Sequence, residues 1–317
     1  MEREIDLPNA PQAIQHRVDY DGLTWIDFTY PRQEQLRYLR ERYHFHELHL
    51  DDLLTRSQRP KIEDDPAARY VFIVLHFPLF DEMRRVSLPS ELHIFAGDHF
   101  IITSHDGRLR PIINLMKDAE RPERRAGLMQ SGASGLLYRI VESLLLHVRP
   151  MLHKLDQRLD LLEEDTFTTR VLETVQDLSY LRRDVISLRR IMRPNLSVVR
   201  ALCEGERPFL HPHSDVFFAD IANGLQDAWD LLDEQKEIIE GLDATLGSLT
   251  SHRINQEMKI FTLISVIILP MTLVASILGM NVIIPGAEHP WSLVGALVIM
   301  AALGIGLYRY LRYRRLV

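Results

Sequence analysis

From Ile260 to Ala287 the chain carries no charged residue, and after Glu288, His289 and Pro290 a second uncharged run extends from Trp291 to Tyr308. A bilayer core of ~30 Å needs about twenty apolar residues in helical form. The first run holds one such helix and the start of a loop. The second is shorter, and its aromatic ends suit the membrane interface. Between them lie Gly279, Pro285, Gly286 and Pro290, which stop helices and make turns. The pattern predicts a helical hairpin: a first span over 260–281, an external loop over 282–290, a second span over 291–308 and a basic tail over 309–317. Arg253 and Lys259 precede the first span, Arg309, Arg312, Arg314 and Arg315 follow the second, and the loop has only Glu288 as a formal charge. Positive charge stays inside, which predicts two cytoplasmic termini and a plasma (inner) membrane location.

Within the first span the hydroxyl-bearing residues are Thr262, Ser265, Thr272 and Ser276, spaced three, seven and four, so all four fall on one heptad stripe. Extending the register adds Asn255, Met258, Leu269 and Gly279. The stripe is therefore polar or small apart from two apolar rungs, Met258 and Leu269. Polar groups at membrane depth face either a partner helix or a water-filled cavity. A close helix seam and a pore both fit the stripe taken alone.

Upstream, residues 1–130 read as an α/β unit. Leu23–Thr29, Tyr70–Phe77, Ser87–Phe95 and His99–Ser104 have strand character, with Asp81 and Glu82 in a turn between two of them. Gln33–Tyr43 has helical spacing. His44, His46 and His49, with Asp51 and Asp52, invite a metal reading. Their spacing does not gather three ligands on a regular helix or strand, so capping and surface packing are expected instead. His211 and His213 form a similar weak cluster. Residues 131–205 read as an antiparallel helical pair standing off the α/β unit, interrupted at Pro150, with Asp156, Asp160, Glu163, Glu164 and Asp165 crowding one end.

From about Asp215 to Pro270 there is no proline, so a stalk over 206–259 can run as one helix into the first span. Projecting the stripe backwards gives Ser251, Ser248, Ala244, Gly241, Glu237, Glu234, Asp230, Asp227, Asn223 and Asp220. The same face is small near the membrane and acidic further in, as a cation funnel requires. Asp233, Glu240 and Asp243 lie off it, as they would on a merely solvated acidic helix.

The formal net charge is −7 despite the basic tail, which argues against nucleic acid and suits cations. The lone Cys203 forms no internal disulfide and fits a reducing compartment. Met1–Ala10 is acidic with no apolar core, so no cleaved signal peptide is expected. No nucleophile elbow, phosphate-cradling glycine loop or nucleotide-binding motif is present, so an enzyme is not expected.

Gly279-Met280-Asn281 between two terminal spans, with a basic tail, resembles the CorA-type two-helix, GxN-motif divalent cation channels. The resemblance covers nearly the whole chain: His49-Leu50-Asp51-Asp52-Leu53 followed by Gln58-Arg59-Pro60-Lys61, then Leu159–Phe167, then Asn255–Lys259. It implies an α+β membrane protein with an N-terminal cytoplasmic domain, a long stalk and two C-terminal spans, assembled as a homopentameric funnel around one pore. It implies that Gly279, Met280 and Asn281 form a selectivity ring. Asn255, Thr262, Ser265, Thr272 and Ser276 would be pore rungs, with Met258 and Leu269 as apolar gates. Asp81 and Asp220 occupy the positions of the family's regulatory subunit-interface site for cytoplasmic Mg²⁺. The implied cargo is Mg²⁺, with Co²⁺ and Ni²⁺ also possible, and no organic cofactor.

One departure bears on ion identity. Many magnesium-transporting members carry a Met-Pro-Glu-Leu-like loop after the motif, whereas this chain runs from Val282 through Pro285 and Glu288 to Trp291. Glu288 would take the loop acid's part, and a Zn²⁺ reading like that of the ZntB branch remains. A reading of another class, a tail-anchored metal-sensing module, predicts no order among the polar residues of the span.

Overall fold

A computed structural model of the chain describes residues 14–55, 59–165, 171–205, 207, 210, 214–280 and 291–314. The chain divides into two compact units, Met1–Asp243 and Ala244–Val317.

The first unit is built on a six-stranded sheet. Its strands are β1 (Ile14–Tyr20), β2 (Leu23–Thr29), β3 (Lys61–Asp65), β4 (Tyr70–Asp81), β5 (Val86–Gly97) and β6 (Phe100–His105), in the order β1-β2-β6-β5-β4-β3. The β2–β6 pair is parallel and the other pairs are antiparallel. Asp21 and Gly22, at φ 46° and 79°, form the two-residue turn between β1 and β2. Positive φ at both positions matches the twist of the flanking strands, and an Asp-Gly pair supplies it at low cost. β4 runs past the expected Phe77 because Pro78 pairs with Pro89 of β5, at a site in the ladder that needs neither missing N–H.

One sheet face is covered by α1 (Gln33–Tyr43) and α2 (Glu47–Leu54), over a core of Ile26, Phe28, Tyr70, Phe72, Val74, Phe95 and Ile102. Phe45, between the two helices, stacks on Phe95 with centroids 4.2 Å apart. The histidines of this region do structural work. The His46 side chain accepts the Leu48 N–H and caps α2. His44 takes the left-handed position that ends α1. His49 is not at the surface as expected: it is buried, with Nδ1 2.8 Å from the Tyr70 hydroxyl and Nε2 2.8 Å from Glu63. Burial lowers its pKa, and the Glu63 bond opposes the shift only in part.

Four more helices follow: α3 (Arg110–Glu120), α4 (Pro122–Met129), α5 (Gly132–Asp165) and α6 (Val171–Glu204). α3 and α4 have no counterpart in the sequence expectations. α5 passes through Pro150 without a break, because the buried Val148 and Leu152 on either side hold it against its neighbours. Nor does the α5–α6 pair stand off the sheet. Asn195 of α6 is fully buried, accepting the His76 N–H at 3.0 Å and donating to the His76 carbonyl, so it completes the β4 backbone as a strand would. Asp184 accepts the Ser87 N–H at 2.6 Å, and the Ser187 hydroxyl donates to the Ser87 carbonyl at 2.6 Å. Burial raises the pKa of Asp184, offset in part by the Ser87 bonds.

The last two helices are α7 (Ser214–Leu278) and α8 (Trp291–Tyr313). α8 extends five residues beyond the expected end at Tyr308, so Arg309 and Arg312 are helical. Among the described residues one helix, over Phe217–Ile277, is long and apolar enough to cross a membrane.

Candidate ion pathway

In the first unit α7 buries Phe218, Ile221, Leu225, Ala228, Leu232, Gln235, Ile239 and Leu242. The steps alternate three and four residues, the seam of a helix in a packed bundle. Its partner is α5: the Gln235 amide donates to the Leu152 carbonyl, and a Cβ on Gly224 would stand 2.6 Å from Leu145 Cδ2. Adding two to the seam numbers gives Asp220, Asn223, Asp227, Asp230, Glu234, Glu237 and Gly241, all of them exposed. Two residues turn a helix by about 200°, so this set lies on the far side from the seam.

The second unit has the same arrangement. Leu263, Ile267, Pro270, Met271 and Val274 of α7 are half-buried. A Cβ built on Gly304 of α8 would stand 3.4 Å from Met271 Sδ and 4.0 Å from Ile267 Cγ2. Among the described residues of α8 the half-buried or buried positions are Met300, Gly304, Leu307 and Leu311, again in steps of four, three and four. Adding two to Leu263, Ile267, Pro270 and Val274 gives Ser265, Leu269, Thr272 and Ser276. These are exposed, as are Ala244, Ser248, Ser251, Asn255, Met258, Thr262, Gly279 and Met280. The hydroxyl stripe is therefore not the seam with α8. That seam runs along the opposite side of the helix.

The hydroxyls already have somewhere to send their protons. Thr262 Oγ1 donates to the Met258 carbonyl at 2.7 Å, and Thr272 Oγ1 donates to the Ile268 carbonyl at 3.0 Å. Each threonine oxygen then turns lone pairs outward. Gly279 closes the helix, its N–H bonding the Ala275 carbonyl at 2.9 Å. Asn281 and Glu288, like His211 and His213, lie outside the described residues.

The acids of α7 are sorted by face. Off the stripe, Asp243 takes Arg182 at 3.1 Å, Asp233 is bonded by Arg189, and Glu240 takes Lys236 at 3.1 Å. Arg189 also lies over the Trp229 ring, 4.5 Å from its centroid. On the stripe, Asp230 accepts from Gln226 at 2.6 Å, and Gln226 in turn accepts from Arg200. Asp227, Glu234 and Glu237 have no ion-pair partner among the described residues. The α6 arginines that take the off-stripe acids were not picked out from the sequence. Their signal was there: Arg182 and Arg189 stand seven apart, and Arg193 and Arg200 continue the row at four and seven.

Asp81 and Asp220 are not brought together within one chain. Asp81 ends β4, where its carboxylate accepts the Arg84 N–H at 3.0 Å, and its neighbour Phe80 packs beside Arg158, Leu161 and Leu162 of α5. Asp220 accepts a 3.3 Å bond from the Tyr138 hydroxyl near the start of α5. Twenty residues of α5 separate those neighbourhoods, about 30 Å at 1.5 Å per residue. Tyr138 also donates to Glu142 at 2.7 Å, and burial, reinforced by Glu142 and Asp220, pushes its pKa up to about 12.

Residues 20–314 match the family described as CorA-like Mg²⁺ transporter protein. The chain belongs to that family. Its members are divalent metal transporters in membranes, not enzymes. The cobalt/magnesium transport protein CorA of Thermotoga maritima is 26% identical over 315 residues, covering 99% of this chain and 88% of that one. The zinc transport protein ZntB of Yersinia pestis is 24% identical over 256 residues, covering 81% of this chain and 75% of that one. The solved structure titled as the complete CorA magnesium transporter of Methanocaldococcus jannaschii superposes with a TM-score of 0.81 over 96% of this chain and 98% of that one, at 21% identity. That likeness establishes the α+β fold with its long helix.

Proposed function

We propose that this CorA-family chain is a Mg²⁺ uptake channel, also passing Co²⁺ and Ni²⁺, in which copies of α7 turn the exposed stripe toward a shared pore. The observation that carries the reading is that the stripe lies opposite the α8 seam. A hydrated divalent cation presents water hydrogens outward, so its path must accept hydrogen bonds. Thr262 and Thr272, their own protons committed to the backbone, offer that acceptance. Ser265, Ser276 and Asn255 add further polar rungs. Met258 and Leu269 interrupt the acceptors with apolar rings that close by dewetting. Gly279, Met280 and Asn281 stand at the outer end as the selectivity ring, with Glu288 raising the local cation concentration. The assembly is a homopentamer in the inner (plasma) membrane with both termini cytoplasmic, driven by an ion gradient or the membrane potential. The similarity to a zinc transport protein favours a second reading, Zn²⁺ transport through the same stripe.

Single cysteines separate stripe from seam. In a Cys203→Ser background, Ser265→Cys should react with a water-soluble thiol reagent and lose Mg²⁺ flux on labelling. Ile267→Cys should stay unlabelled and keep its flux. Labelling confined to Ile267→Cys would reverse the assignment of faces.

Asp81 and Asp220 match the positions of the family's regulatory site, so cytoplasmic Mg²⁺ closes the channel between Asp81 of one copy and Asp220 of the next; within one chain ~30 Å separates their neighbourhoods. Facing carboxylates repel, and a bound divalent ion removes the repulsion. Asp220→Asn should abolish inhibition of flux by cytoplasmic Mg²⁺. Asp220→Lys should hold the pore closed without the ion by pairing with Asp81. An unchanged inhibition curve in both variants would move the sensor to Asp227, Asp230, Glu234 and Glu237.

A further inference from the structure

One face of α6 holds the β4–β5 hairpin by its backbone. Asn195 bonds the N–H and carbonyl of His76, Asp184 and Ser187 bond those of Ser87, and Arg183 donates to the Arg84 carbonyl. Arg85 pairs with Asp177 at 3.1 Å and lies over the Tyr180 ring, 4.3 Å from its centroid. The turn gripped in this way is the one that Asp81 braces, through its bond to the Arg84 N–H. The arginine row of α6 holds α7 instead. Arg182 reaches Asp243 at 3.1 Å, Arg189 bonds Asp233 and the Leu232 carbonyl, and Arg200 bonds Gln226 at 2.8 Å. Arg189 and Arg193 also lie over the Trp229 ring, 4.5 and 5.6 Å from its centroid. At ~100° per residue the four arginines fall within about 40° of one another, with Asp184, Ser187 and Asn195 on the opposite side.

From Arg182 to Arg200 the α6 number rises by 18, and from Asp243 to Gln226 the partner on α7 falls by 17. That is the register of two antiparallel helices, kept over ~27 Å at 1.5 Å per residue. Arg182 and Arg183 are neighbours, so adjacent side chains of one helix grip α7 and the Asp81 turn. We propose that α6 is the lever of the gate, with Arg182 and Arg189 as positioning residues that carry ion occupancy at the Asp81 turn to α7, a role that rests on the reading of Asp81 and Asp220 as the Mg²⁺ sensor. A cation that takes the Asp81 carboxylate draws it from the Arg84 N–H, and the Arg84 carbonyl is a group that α6 holds. A helix anchored along two opposite sides moves as a unit. Displacement of the turn is therefore passed to α7 between Gln226 and Asp243. The ion pairs that pass it on are partly exposed and add little to stability. Coupling is a difference between two states, so it can be lost while the fold and the ion site persist.

Flux against cytoplasmic Mg²⁺, measured on full-length protein in liposomes, reads closure. Trypsin cleavage after Arg84 and Arg85, measured on the same protein in detergent, reads occupancy of the turn. The Arg84 side chain is 71% exposed, and an ion bound between copies covers it. Arg182→Glu should keep its protection by Mg²⁺ at the wild-type midpoint and raise flux at saturating Mg²⁺ about fivefold or more. Arg182 is half exposed, so this change leaves the fold in place. Adding Asp243→Arg rebuilds the pair with its signs exchanged and should bring inhibition back. Arg189→Gln should behave as Arg182→Glu does, whereas Asp220→Asn should lose protection and inhibition together. Normal inhibition in Arg182→Glu and Arg189→Gln, with inhibition lost in Asp220→Asn, would overturn the lever and leave the sensor in place. Protection lost together with inhibition in Arg182→Glu, or no recovery in the exchanged pair, would also overturn it. Inhibition kept in Asp220→Asn, yet lost in Arg182→Glu and recovered on exchange, would move the sensor and support the lever.

Discussion

Replacing Asn281 with alanine should cut Mg²⁺ uptake more than tenfold while leaving a folded, membrane-inserted oligomer. Mg²⁺ gives up its waters reluctantly, so a selectivity ring works by accepting from the bound waters and fixing the hydrated ion at the mouth. A hydrogen bond to a charged group contributes about 1.5–3 kcal/mol, and ~1.4 kcal/mol is a factor of ten. Losing one amide acceptor from every subunit at once therefore removes more than a decade of ion occupancy. In sequence the residue follows Gly279, which closes α7, and comes after the half-buried seam positions Leu263, Ile267, Pro270, Met271 and Val274. Uptake assays on membranes, with oligomer size checked on the same preparation, read both halves. Near-normal uptake in the variant would remove Asn281 from the selectivity ring.

Leu269→Ser should raise resting conductance severalfold without changing the melting temperature. Leu269 is 68% exposed, one rung from Thr272 and one from Ser265 on the face that turns away from α8. An apolar constriction empties of water and blocks ions, and a hydroxyl rewets it. Because the α8 seam runs through Leu263, Ile267, Pro270 and Val274, no intrachain packing is lost. If the stripe were instead a dry seam between copies, the same change would weaken assembly and leave conductance alone. Single-channel conductance and oligomer size measured together tell the two apart.

Which face of α7 is exposed was legible in the sequence because a heptad needs only spacing. Projecting the register of Thr262, Ser265, Thr272 and Ser276 back to Asp220 gave positions that are all exposed in the folded chain. Seam or pore was not legible from it, because small and hydroxyl residues serve both, and the α8 contact excluded only the seam within the chain. In the first unit, Gln33–Tyr43 was readable from its spacing to the residue. β1 was overlooked although Asp21-Gly22 marks the hairpin that forms it, since Ile14–Tyr20 alternates polar and apolar residues too weakly to stand out alone. The strand from Tyr70 was read as ending at Phe77, one residue before Pro78, and Pro150 was read as an interruption, whereas β4 and α5 run through these prolines. Both are tolerated because tertiary partners, Pro89 across the ladder and the buried faces beside Pro150, make the missing N–H harmless. The docking of α6 on the sheet through Asn195, Asp184 and Ser187 had no local signal. Polar side chains aimed at another strand's backbone look like surface polarity until the strand is in place.

Ion selectivity is the central claim, and flux into liposomes containing the purified protein, with Mg²⁺, Co²⁺, Ni²⁺ and Zn²⁺ in parallel under an inside-negative potential, tests it most directly. Mg²⁺ entry that is voltage-driven and is lost in Asn281→Ala, with Co²⁺ and Ni²⁺ following the same dependence, is the predicted result. Entry of Zn²⁺ alone, or Mg²⁺ entry indifferent to Asn281, would contradict it.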